Sequence, residues 1–141
     1  MSEPNLLSRA FLENRPKAAA ALLQDFTPEH CVEFLLAMPL EVIVPVIDGM
    51  ASWPAARTLS LMPIELTADI LRELPDAEAE SLLRLMSNEQ RTAVMASMPA
   101  ATAQGFANKL TYPISTVGAW MDIAVPCFTL DSSVDHCLDL V

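Results

Sequence analysis

The chain has 141 residues, 52% of them hydrophobic, with 18 acids against 8 bases and a formal net charge of −10. That charge argues against nucleic acid and anionic lipid as partners and favours cations or basic proteins, the other reading being solubility alone. Mean hydropathy is high, at +0.35, but Pro39, Glu41 and Pro45 interrupt the most apolar run, so no membrane span is predicted and the apolar surplus reads as packing surface.

A bulky apolar residue returns every twelve positions, at Phe26, Met38, Met50, Met62, Leu74, Met86, Met98 and Leu110. Three residues earlier stand Leu23, Leu35, Ile47, Leu59, Leu71, Leu83, Met95 and Ala107. Four earlier stand Leu22, Phe34, Val46, Thr58, Ile70, Leu82, Val94 and Phe106, of which only Thr58 is polar. These offsets share one helical face. The position seven earlier is small or mixed, from Ala19 and Cys31 through Thr67 to Arg91 and Ala103, which suits close helix crossing. Proline follows the anchor at Pro39, Pro63, Pro75 and Pro99, and follows by two at Pro28. It stops one helix, and its fixed φ suits the first turn of the next.

In chain order the pattern predicts helices over 4–13, 16–25, 28–37, 40–49, 52–61, 64–73, 76–86, 88–97 and 100–109. Thr27 before Pro28 reads as an N-cap, Ser52 before Trp53-Pro54 as a start signal, and Ser87 with Gln90 as a capping box. Each helix is about 15 Å long and unstable alone. The predicted fold is therefore all-α: a superhelical array of short antiparallel helices over 1–110. A four-helix bundle would need longer helices than the prolines permit.

After Leu110 the beat stops. Residues 111–121 form a junction, in which Thr111-Tyr112-Pro113 breaks the last helix. Val125 to Leu130 then reads as a strand, Asp131-Ser132-Ser133 as a turn and cap, and Val134 to Val141 as the start of a helix. Residues 122–141 are expected to be the opening βα piece of a second, incomplete domain, since a strand and part of a helix cannot bury themselves.

The Leu-Pro or Met-Pro steps at Met38-Pro39, Met62-Pro63, Leu74-Pro75 and Met98-Pro99, followed by Tyr112-Pro113 and Gly118-Ala119-Trp120-Met121, resemble the cytoplasmic N-terminal part of MgtE-type magnesium transporters. Met121, the strand, Asp131 and the helix from Val134 resemble the start of a CBS domain. The resemblance implies an α-superhelical N domain, a junction motif at Tyr112, Pro113, Gly118 and Met121, and a truncated CBS domain. It implies a cytoplasmic, non-catalytic regulatory role in magnesium sensing and gating. The implied partners are the protein's own CBS and transmembrane domains, within a full-length homodimer. Some relatives pair this domain with CBS repeats and no pore, so the alternative is a soluble interaction scaffold, to which the methionine-rich repeats would offer adaptable apolar surface.

The residues themselves offer no catalytic constellation. Gly49, Gly105 and Gly118 form no phosphate-cradling loop, and neither His30 nor His136 sits beside a nucleophile motif. Cys31, Cys127 and Cys137 read as thiols of a reducing compartment, and with the two histidines they match no zinc spacing. With Glu3 and Glu13 and no basic run, the N-terminus does not read as a signal peptide. The candidate chemistry lies in the acids. Asp69 and Glu73 close one helix; Asp76, Glu78 and Glu80 open the next across Pro75. Such paired carboxylates repel, and a weakly held, largely hydrated Mg²⁺ would relieve that repulsion. The other reading is a solvated acidic face with Asp76 and Glu78 favouring the positive helix end. Asp131, Asp135 and Asp139 repeat the spacing in the CBS-like segment. What the resemblance implies is that the two acidic surfaces face each other across a cleft.

Overall fold

Twelve-residue spacing becomes one helix and one turn per repeat. The computed structural model describes residues 6–113 and 115, and among these it is helical with no strand. The helices are α1 (Leu6–Asn14), α2 (Pro16–Leu23), α3 (Pro28–Leu35), α4 (Leu40–Asp48), α5 (Ser52–Leu61), α6 (Ile64–Glu73), α7 (Asp76–Leu85), α8 (Asn88–Ser97) and α9 (Ala100–Thr111). The predicted starts from α2 onward agree to the residue. The ends differ by up to two residues: α2 and α3 stop two short because the early turns are longer than two residues, and α9 runs two further, to Thr111. Gln24 to Thr27 and Leu36 to Pro39 are four-residue connections, so α2 and α3 stop at Leu23 and Leu35. From α5 onward each helix has ten residues or more and each turn has two. The expected strand, the helix from Val134 and the junction residues Gly118 and Met121 lie outside the described residues.

The anchor and the residue after it make the turn. Met62, Leu74, Met86 and Met98 all have φ between −75° and −86° and ψ between 154° and 160°. Proline imposes that extended backbone on the residue before it, which ends the helix there. Pro39, Pro63, Pro75 and Pro99 are themselves extended and precede the helix as N-caps. They stand just before the predicted starts at 40, 64, 76 and 100, whereas Pro28 occupies the first position of α3. Their carbonyls accept the first intrahelical bonds, from Ile43, Thr67, Ala79 and Ala103 at 2.9–3.2 Å. Ser87 takes the same conformation without a proline, and its side chain accepts from the Gln90 N–H at 3.3 Å. Gln90 does not complete the box: its amide donates across to Ser60 O of α5 at 3.1 Å. Thr27 is at the N-cap but its hydroxyl bonds the His30 ring, at 3.0 Å, and Ser52 is one residue inside a helix capped by Ala51.

Each helix packs most heavily on the helix two steps away: α3 on α5, α5 on α7, α7 on α9, and α2 on α4, α4 on α6, α6 on α8. Two layers result, and the chain crosses between them at every turn. The face predicted from the three- and four-residue offsets fills the space between. Leu35, Val46, Ile47, Leu59, Ile70, Leu71, Leu82 and Leu83 are essentially sealed, and the anchors from Met38 to Met98 are buried around them. Each such side chain contributes about 2 kcal/mol of transfer free energy. Ala19, Ala55 and Ala79, seven before their anchors, are also sealed. At the same repeat position Cys31, Thr67 and Arg91 carry polar hydrogens, and each donates to the carbonyl eight residues earlier. The acceptors are Leu23 at 2.9 Å, Leu59 at 3.1 Å and Leu83 at 3.4 Å, in the last turn of the preceding helix. Gly49 permits another close approach, since a Cβ there would lie 3.0 Å from that of Ala20 on α2.

One anchor does not obey the pattern. Phe26 is 58% exposed. α1, which by the rule of two should cover α3, instead packs on α2 and α4.

Candidate functional site: the acidic face of α6 and α7

The acids Asp69 and Glu73 lie on α6, and Asp76, Glu78 and Glu80 on α7, joined through the Leu74-Pro75 step. Asp76 and Glu78 fall in the first turn of α7, where unpaired N–H groups and the helix dipole favour negative charge. The fold interleaves bases among them. Arg72 reaches Asp69 at 3.1 Å on the same helix. Lys109 of α9 reaches Asp76 at 2.8 Å, and the Asp76 side chain remains 71% exposed. Ser52 Oγ of α5 donates to Glu78 at 3.4 Å. Glu73 is exposed at the end of α6. Among the described residues no three histidines, cysteines, aspartates or glutamates gather closely enough to hold a metal ion. A divalent cation at this face would therefore need ligands or water from beyond these helices.

Glu80 differs from the other four. It is buried, and its carboxylate accepts two bonds from Arg84, at 3.1 Å from Nε and 2.6 Å from Nη2. The same Nη2 donates to Lys109 O at 3.1 Å and to Tyr112 O at 2.9 Å. Those carbonyls belong to the last turn and C-cap of α9, where a cation suits the helix dipole; Lys109 O also accepts the Tyr112 N–H at 3.3 Å. Arg84 and Lys109 thus tie α7 to the point where the chain leaves the array. Sequence reasoning missed both. The available signal was the Glu80–Arg84 spacing of four, the arrangement that lets oppositely charged side chains meet on one helix face. Of the junction motif, Tyr112 is the exposed C-cap of α9 and Pro113 follows it.

The histidine–cysteine pair within the described region is structurally occupied. His30 bonds Thr27, and the buried Cys31 thiol donates to Leu23 O. Burial, and to a lesser extent the Glu29 carboxylate, pushes the Cys31 pKa up. Cys127, His136 and Cys137, and the acids Asp131, Asp135 and Asp139, lie outside the described residues. No described helix is long and apolar enough to cross a membrane.

No curated protein and no solved structure matches this chain. The serial proline steps and the two-layer array of short helices agree with a match over residues 3–99, well over half of the sequence, and the chain belongs to the family described as the MgtE intracellular N domain.

Proposed function

We propose that this chain is the regulatory N domain of a magnesium transporter and that its α6–α7 face takes part in sensing Mg²⁺. The observation that supports this most directly is a row of carboxylates, the exposed Asp69, Glu73 and Asp76 with the half-buried Glu78, on a domain of this family in a chain of net charge −10. The family is not a catalytic one.

Mg²⁺ keeps most of its water and takes one or two carboxylates directly. Asp69 holds an exposed ion pair worth about 1 kcal/mol or less, and the Asp76 side chain is 71% exposed, so a dication can compete for both carboxylates. Acids of a following CBS domain supply the facing ligands, and the ion bridges two surfaces that otherwise repel. Lys109, freed from Asp76, sits one turn from the Tyr112 exit, which couples ion occupancy to the tether between domains. The ion shifts the compact–open equilibrium only by its differential affinity for the two arrangements.

Small-angle scattering of the protein carrying both domains, with and without millimolar Mg²⁺, tests the reading. Compaction with Mg²⁺, lost in the Glu73→Gln/Asp76→Asn variant, is expected. An unchanged radius of gyration would sink it. Sequence beyond Val141 separates this reading from its poreless alternative, since several apolar runs of about 20 residues mark a transporter.

A further inference from the structure

In the two-layer array an inner helix has a next-but-one neighbour on each side. α3 has α5 on one side, but on the other α1 has moved away to α2 and α4. The flank left open borders a cavity of about 490 Å³. Phe11 of α1, Leu22 of α2, Phe26 of the following turn, and His30 and Phe34 of α3 line it. Leu22 and Phe26 are 57% and 58% exposed although they hold repeat positions that are sealed in the middle of the array. The opening has the position of one helix of the stack.

The border of the opening is acidic. Phe26, His30 and Phe34 recur every four residues, and an exposed acid precedes each: Asp25, Glu29 and Glu33. On α3 that offset turns Glu29 and Glu33 to one side of the apolar strip. The bases at this end lie elsewhere. Arg9 is paired with Glu13 at 2.8 Å, and Arg15 and Lys17 stand at the opposite end of α2 from Leu22.

We infer that this cavity is the docking groove for a basic amphipathic helix of a partner protein. The helix lies along α3 where a next-but-one neighbour would stand. Its apolar side rests on Leu22, Phe26 and Phe34, and its lysines or arginines meet Asp25, Glu29 and Glu33. Residues 113–141 contain four aspartates and no Lys or Arg, and residues 1–5 contain Glu3 and no base. A second copy would bring another charge of −10.

The test uses the 141-residue chain and a fluorescent Leu/Lys peptide of about 14 residues, about 21 Å as a helix, with leucines spaced for one face. Controls are the same peptide with Glu replacing Lys, and a scrambled Leu/Lys peptide of equal composition. The Leu/Lys helix is expected to bind about tenfold tighter than either control. Phe26→Ser and, independently, Leu22→Ser should each weaken it about tenfold, helix content being checked by circular dichroism. Glu29→Lys with Glu33→Lys should reverse the preference toward the Glu peptide. No binding, equal binding of the scrambled peptide, or indifference to both apolar variants overturns the inference. So does self-association of the chain that Phe26→Ser abolishes.

Discussion

At the scale of single residues, the position seven before each anchor is informative because one position does two jobs. Where it is alanine, as at Ala55 and Ala79, it lets helices meet closely; where it is polar, as at Cys31, Thr67 and Arg91, it closes the end of the helix before it. The sequence showed a small or mixed position but not the second job, because the acceptor is a backbone carbonyl and leaves no trace in side-chain identity. Cys31 makes a pH-dependent case. Its pKa is raised by burial first and by Glu29 second. The unfolded chain loses the thiol proton near pH 8.5, while the folded chain still holds it. Above that pH the unfolded state binds fewer protons, so stability is full below it and falls as pH rises through the folded pKa. Cys31→Ser keeps a donor for Leu23 and does not titrate. Under reducing conditions, the wild-type stability relative to this variant should be level at neutral pH and decline above about pH 8.5. A level difference through pH 10, in melts followed by circular dichroism, would show that the thiol is not linked to folding.

At the scale of elements, the proline step is written openly in the sequence and its geometry is not. Pro63 and Pro75 were visible as helix boundaries just outside the helices they precede; what was not visible is that the extended backbone they force on Met62 and Leu74 ends the previous helix. Met86-Ser87 reaches the same conformation through a hydroxyl cap, so the step does not require the ring. Pro63→Ala should therefore cost only about 0.4–1 kcal/mol, by freeing the unfolded chain, with helix content unchanged. Urea denaturation gives the cost; a gain in helical signal from fusion of α5 with α6 would show the proline to be indispensable. Helix starts were legible because caps and prolines are local. Phe26 was not, since its exposure follows from where α1 goes, and no periodicity in residues 22–34 encodes that.

At the scale of the whole molecule, the charge that pointed to a cation face is real but distributed. Asp69, Asp76 and Glu80 each meet a base, and two of those bases, Lys109 and Arg84, come from or reach the α9 end. The five acids could be read from spacing within α6 and α7; their partners could not, because Lys109 is 33 residues from Asp76 and meets it only through the α7–α9 stack. Arg84→Met tests the tie. It strands a Glu80 side chain that is 11% exposed and releases the carbonyls of Lys109 and Tyr112. The loss should be on the order of 3 kcal/mol, and adding Glu80→Met should recover part of it, because an unpaired buried carboxylate is worse than none. Equal denaturation midpoints for wild type and Arg84→Met would mean the exit from α9 is held by other contacts.

The rule that a helix leans on the one two places away has a mechanical outcome. The array has no closing contact between its first and last helices among the principal ones, so it behaves as a zipper with two loose ends rather than as a sealed globule. Its middle, α5 to α7, is clamped from both directions, while α9 has a next-but-one neighbour on one side only and Arg84 grips its last turn. A load applied at Tyr112 therefore enters the array through α9 and passes to α7 through Arg84 and Lys109.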